Sequence, residues 1–194
     1  TPSRGASISP DHPSGKGVAQ DIDIESQALD DLGERRLVAL PLAVRPDERR
    51  HGAVRSGQHA DGNLCDGTAY YGALSFAGDA WFQKEVFHAD GGYTDKRHGS
   101  MSAGPLIDRW VGIKMVAYNI GDGVKLELWV DQNSDNNWIK MAETLDNGGW
   151  VSEDSACGKS PDHVHSEPRP RVMFRIDNAM FEFKSLSVRE IATT

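Results

Sequence analysis

The chain predicts an antiparallel β-sandwich preceded by an extended polar arm. Three observations carry that expectation: short runs of alternating apolar residues from Tyr70 onward, Gly/Asn/Asp-rich punctuation between them, and almost no stretch with helical periodicity. A length of 194 residues fits one all-β domain with a core large enough to stand alone.

Residues 1–35 are assigned to the arm and residues 36–194 to the sandwich. The arm combines Pro, Ser and Gly with the acidic run "DIDIESQALDDLGE", a composition that buries little apolar surface. Within it, "SQALDDLGERR" is expected to form one short helix from the Ser26 cap, with Gly33 near its end. An arm of this kind is expected to lie against the body or to exchange between subunits, making a homo-oligomer. "RRLVALPLAVRP" reads as a strand broken at Pro41, suited to a sheet edge.

Seven strand-like runs follow: "TAYYGALSFAG", "AWFQKEVFH", "RWVGIKMVAYN", "VKLELWVDQ", "NWIKMAETLD", "RVMFRIDN" and "MFEFKSLSVREI". Alternation gives each a core face. Leu126, Leu128 and Val130 oppose Lys125, Glu127, Trp129 and Asp131; Val111, Ile113, Met115 and Ala117 oppose Lys114 and Tyr118; Val172, Phe174 and Ile176 oppose Met173, Arg175 and Asp177.

Charge and cysteine content narrow the partners. A formal net charge of −8 argues against a nucleic-acid binder, because neutralising phosphates needs an excess of Lys and Arg. No apolar run is long enough to insert into a membrane as a helix. Cys65 and Cys157 lie in the Gly/Asp/Ser-rich segments "NLCDGT" and "SACGKS". They are expected to pair as a disulfide rather than to be two unrelated thiols, closing a loop of about 90 residues for roughly 4 kcal/mol. That pairing implies an oxidising compartment, so the protein is expected to be secreted or displayed at the cell surface. The opening "TPSRGASISPDHPSGKG" has no apolar leader core, as expected of a mature exported chain.

The succession "RWVGIKMVAYNIGDGVKLELWVDQNSDNNWIKMAETLDNGGW" followed by "FRIDNAMFEFKSLSVREI" resembles the concanavalin A-like lectin/glucanase jelly roll over roughly residues 70–191, and is similar to secreted members of that superfamily. The resemblance implies a curved sheet whose concave face meets an extracellular polysaccharide. Some branches hydrolyse the glycan, some eliminate across uronic acids, and some only bind.

The segment "WFQKEVFHADGGYTDKRH" carries the residue types that elimination needs: a cation to neutralise the uronate carboxylate, a base for the C5 proton and an acid for the leaving oxygen. Lys84 and His88 are expected to share a strand face about 13 Å apart, with Gly91 and Gly92 folding the loop back over that edge. His88 and Tyr93 are the candidate proton-transfer groups, and Lys84 and Arg97 the neutralisers. Tyr118, Glu127, Trp129, Arg175 and Lys114 are the candidate substrate lining. The Arg-x-Glu-Leu-Arg, Gln-x-His and Tyr-Phe-Lys-Ala-Gly motifs of the jelly-roll alginate-lyase-like branch, to which "QKEVFH" has a distant resemblance, are not in this chain. A polysaccharide lyase for an acidic glycan is therefore one expectation; a non-catalytic carbohydrate-binding module and a surface assembly protein are the alternatives.

Three other constellations are present. Glu127 and Asp131 share a face near 13 Å apart, too far for a glycosidase carboxylate pair at about 5–9.5 Å. Asp131, Asn133 and Asp135 alternate like calcium ligands, which makes a structural calcium the one candidate metal, against the alternative of an Asx-rich turn. His163 and His165 have zinc-pair spacing but no third ligand at a recognisable interval. No cofactor is required by either sugar-active reading.

Overall fold

Period-two alternation dictates two layers, because each strand has one face that must leave water. The computed structural model describes residues 20–25, 35–44, 51–58, 62–89, 91–106, 109–152, 156–167, 171–177, 181–183, 185 and 187–189, with backbone pairing alone at 20–25, 35–44, 51–58, 171, 173–177, 181–183 and 187–189. The strands are β1 (Gln20–Glu25), β2 (Arg35–Val44), β3 (His51–Gln58), β4 (Thr68–Ser75), β5 (Asp79–Glu85), β6 (Arg97–Ser102), β7 (Arg109–Ile120), β8 (Gly123–Asp131), β9 (Ile139–Asp146), β10 (Arg171–Asp177), β11 (Phe181–Phe183) and β12 (Ser187–Arg189). They pair antiparallel into a front sheet, β1-β10-β3-β4-β5-β6, and a back sheet, β11-β2-β7-β8-β9, with β12 also on β2.

The core lies between them. Tyr70, Leu74, Ala80, Phe82 and Val172 of the front sheet meet Val111, Ile113, Met115, Leu126, Leu128 and Val130 of the back sheet. Gly72 marks the closest approach, since a Cβ there would stand 3.1 Å from Leu128 Cδ1 and 3.2 Å from Met115 Sδ. The β7–β8 hairpin turns at Gly121 and Asp122, with Gly121 at φ 56°.

Two expectations are corrected. Part of the assigned arm is sheet: Gln20–Glu25 is the edge strand of the front sheet, with Asp21 opposite Arg175 and Glu25 opposite Arg171 in register. Pro41 does not break its strand or mark an edge, because β2 runs through it between β7 and the β11/β12 pair. β12 pairs residues 37–39 and β11 pairs residues 42–44, so Pro41 falls in the gap where no N–H is called for on that side. The helix expected over 26–36 falls largely outside the described residues, and its last two, Arg35 and Arg36, begin β2. The arm before Gln20, and with it the expected subunit exchange, lies outside the described residues. The disulfide expected between Cys65 and Cys157 is present, with Cα atoms 5.3 Å apart. Among the described residues no helix is long and apolar enough to cross a membrane.

Candidate functional site

Strand β5 sends consecutive side chains to opposite sides of the front sheet. Phe82 and Lys84 point between the sheets, while Trp81, Gln83 and Glu85 share the outer face with Tyr71 and Ala73 of β4. The strand ends at Glu85. Val86 N–H donates to Gly92 O at 2.8 Å, and Glu85 bridges Tyr93, so the chain at Gly92 and Tyr93 comes back beside the end of β5. His88 lies just past that end, its N–H donating to Leu64 O and Asp66 O. Its Nδ1 lies 2.7 Å from Glu85 Oε1, and Tyr93 Oη donates to the same oxygen at 3.1 Å. With Glu85 ionised, the His88 proton sits on Nδ1. Glu85 is fully buried, whereas the His88 side chain is 29% exposed. Next to it, Tyr93 packs edge-on against Tyr71 at 5.8 Å, and Lys96 Nζ stands 4.6 Å over the Trp81 ring with His98 alongside.

A second polar cluster lies between the sheets. Lys84 Nζ donates to Asp146 Oδ2 at 2.8 Å and to His163 O at 3.0 Å. Tyr70 Oη donates to the same Asp146 oxygen, and Gly148 N–H to Oδ1. His165 N–H donates to Tyr70 Oη, while its Nε2–H donates to the Glu85 carbonyl at 3.0 Å. Burial lowers the Lys84 pKa, against the opposing pull of Asp146, and burial raises the Tyr70 hydroxyl. Arg97 registers with Phe82, so it too turns inward: its guanidinium lies 4.2 Å from the Trp150 ring and donates to Gly149 O at 2.8 Å.

His165 gives this cluster a pH dependence. Burial, reinforced by Lys84 and His163 and opposed by the Glu85 carbonyl and Asp146, lowers its pKa from the ordinary 6.5 to about 4. Between those values the unfolded chain binds a proton that the folded chain refuses. Stability is therefore full above about pH 6.5 and is expected to fall by on the order of 2–3 kcal/mol as pH drops toward about 4. Urea midpoints across that range check this, and His165→Gln, which keeps an N–H donor, should flatten the slope relative to the parent chain. An unchanged slope would remove His165 as its source.

The outer face of the back sheet carries a third group. Lys114, Glu127, Trp129 and Tyr118 share it, Lys114 opposite Trp129 in register and Tyr118 opposite Lys125. Lys114 Nζ stands 4.9 Å from the Trp129 ring and 4.5 Å from the Trp138 ring. The Asp131 carboxylate accepts backbone N–H groups from Asn133, Asp135 and Asn136, so it is held by its own loop, as an Asx-rich turn requires. Among the described residues no group of three or more His, Cys, Asp or Glu has metal-holding geometry, His163 and His165 included.

No protein-family model matches the chain, and no curated protein matches it in sequence. Solved structures do match in shape. A legume lectin-like domain from Entamoeba histolytica superposes with a TM-score of 0.53 over 93% of this chain and 82% of its own, at 11% identity. The two share a β-sandwich fold. The carbohydrate-binding module CBM66 from Bacillus subtilis gives 0.48 over 87% and 81% at 14% identity, and sheep galectin-11 gives 0.45 over 91% and 100% at 8%.

On this sandwich the sequence-derived set does not form one trough. His88 and Tyr93 come together on the outer front face, through Glu85. Lys84 does not share their face: it is enclosed between the sheets and paired with Asp146, so it is not placed to neutralise a substrate carboxylate there. Arg97 is turned to Trp150. Lys114, Tyr118, Glu127 and Trp129 are on the opposite outer face, and Arg175 is on β10 of the front sheet, its side chain outside the described residues. Glu85, Trp138 and Asp146 were not read as site residues from sequence. The one available signal was the spacing of Glu85 from His88, which a turn at Gly91 and Gly92 folds into contact.

Proposed function

We propose that the protein is an exported polysaccharide-binding module that holds its glycan on the outer side of β5, where His88, Tyr93 and Lys96 gather. The observation that carries this reading is the half-buried Tyr93 ring, backed by the buried Tyr71 and Trp81, beside the part-exposed His88 and the exposed Lys96, with the buried Glu85 orienting His88 and Tyr93. Sugar rings need both: an apolar plane for their C–H faces and convergent donors and acceptors for their hydroxyls. The shared fold with a lectin-like domain supports a saccharide as the ligand class, and the Cys65–Cys157 disulfide supports an oxidising, extracellular setting.

Retention on a panel of immobilised neutral and acidic polysaccharides tests it. The parent chain is expected to be retained by at least one polymer, and Tyr93→Ala with Lys96→Ala to weaken that retention about tenfold or more. A chain that passes through every polymer unretarded would refute the reading.

A second reading, a lyase for an acidic glycan, is favoured by one feature: His88 and Tyr93 meet on a single Glu85 oxygen. In that reading His88 takes the C5 proton, the C4–O bond breaks, Tyr93 protonates the leaving oxygen, and a C4=C5 double bond forms. Lys96 is the described cation of that face, in place of Lys84. Ultraviolet absorbance of the unsaturated product separates the two readings. Retention without absorbance leaves a binding module, whereas absorbance that disappears in His88→Ala makes the protein a lyase.

A further inference from the structure

The outer face of the back sheet has the makings of a binding site of its own. Its centre is Lys114, whose ammonium stands between two indoles, Trp129 of β8 and Trp138 of the β8–β9 loop. Trp138 is set there by the chain. Gly112 of β7 lies beneath it, where a Cβ would come within 2.8 Å of Trp138 Cη2, so the ring can lie down on the strand. The loop that delivers it is fixed by the Asp131 carboxylate, and Trp138 Nε1–H donates to Asn136 Oδ1 at 2.9 Å. Trp129 is fixed equally, its Nε1–H donating to Glu127 Oε2 at 3.0 Å.

The other lysines of this face have carboxylate partners. Lys140 pairs with Glu127 and Glu143, and Lys125 with Glu143. Lys114 differs: among the described residues its contacts are the two rings, and no oxygen accepts from its ammonium. Cation–π contact is worth about 0.5–1 kcal/mol at a partly exposed site and leaves the N–H donors without an acceptor. Partial burial lowers the Lys114 pKa, against the opposing pull of the nearby Glu127 carboxylate, which does not accept a hydrogen bond from it. Such an ammonium favours an incoming anion, and the partly exposed indole surfaces beside it favour a ring with C–H faces.

We propose that Lys114, Trp129 and Trp138 form a second saccharide site, on the opposite outer face from His88, and that it takes a uronate residue with its carboxylate on Lys114 and its ring against the indoles. Glu127 and Asn136 stand beside the rings as hydrogen-bonding groups at the rim. Polyuronate binding at this site is electrostatic in part, so it weakens with added salt even though the whole chain carries a net charge of −8.

Isothermal titration of the full chain with short oligogalacturonates at low salt tests this, with neutral maltooligosaccharides and a sulfated oligosaccharide as the other arms. Lys114→Met is expected to weaken oligogalacturonate binding about tenfold and Lys114→Arg to retain it. Thermal unfolding shows whether Lys114→Met is folded. If it is not, Lys114→Gln and Gly112→Ala, whose new methyl displaces Trp138, give the same reading. The proposal is overturned if Lys114→Met binds as the parent does, if neutral oligomers bind equally, or if only the sulfated ligand binds. Because the Tyr93 variants read the front face, failure here and failure of the proposed function are distinguishable.

Discussion

An Asp146→Ala chain is expected to unfold with a free energy about 3–5 kcal/mol below that of the parent. The replacement leaves the Lys84 ammonium, with no exposed side-chain surface, without its counter-ion, and strips the acceptor from Tyr70 Oη and from Gly148 N–H. The pair joins the two layers, Tyr70 and Lys84 coming from the front sheet and Asp146 from the back sheet. Lys84 also reaches the His163 carbonyl, so the loss extends to the segment that closes over the network. The cost lies in the orphaned charge more than in the lost attraction. Lys84→Met combined with Asp146→Leu should therefore recover much of the loss, because replacing a buried ion pair by apolar residues of similar volume is often neutral or better. Tyr70→Phe alone should cost only about 1 kcal/mol, the net value of one hydrogen bond. Equilibrium urea unfolding with the disulfide intact measures all three. An Asp146→Ala chain within about 1 kcal/mol of the parent would mean that water reaches the pair and screens it.

The sandwich was legible because β7, β8 and β10 alternate apolar and polar residues strongly enough to settle the strand and its faces, and β4, β5 and β9 are apolar runs bounded by turn residues. β3 and β6 were not. "HGAVRSGQ" offers Val54 as its one large apolar residue, and "RHGSMS" is mostly exposed. β6 is held by proximity instead, Gly99 lying where a Cβ would be 2.3 Å from Met141 O, a constraint invisible until β9 is in place. β1 alternates as "QDIDIE", but its charge made it resemble the arm.

The site was half legible for a related reason. In "AWFQKE" both parities carry an aromatic residue, Trp81 on one and Phe82 on the other, so hydrophobicity does not say which side is core. Phe82 went in and took Lys84 with it, while Trp81 stayed outside with Glu85. The folding back of Tyr93 was readable from Gly91 and Gly92, and Gly91 does adopt φ 83°. Where the strand stops was not readable. Its end at Glu85 separates His88 from Lys84 and delivers it to the carboxylate on the other face.

Removing the disulfide should have the other large effect, about 4–5 kcal/mol in the chain-entropy account for a separation of 92 residues. Its position gives it a local consequence as well. Cys65 belongs to residues 62–67, whose Leu64 and Asp66 carbonyls accept the N–H groups that hold His88 and Ala89 in place. Cys157 belongs to the long connection after β9, which carries Trp150, His163 and His165 against the buried network and pairs Val151 and Ser152 with Asp95 and Thr94. The bridge thus ties together the turns that orient His88 and the segment that seals Lys84. Cys65→Ala with Cys157→Ala is expected to unfold at lower urea concentration and to show weakened retention on whichever polysaccharide the parent chain binds. Lys114-dependent binding on the far face should be retained wherever the variant is still folded, because none of these turns contributes to it. A variant with the parent's urea midpoint and retention would show that these segments hold their arrangement without the cross-link, and that the hydrogen bonds to Leu64, Asp66 and Glu85 suffice to position His88.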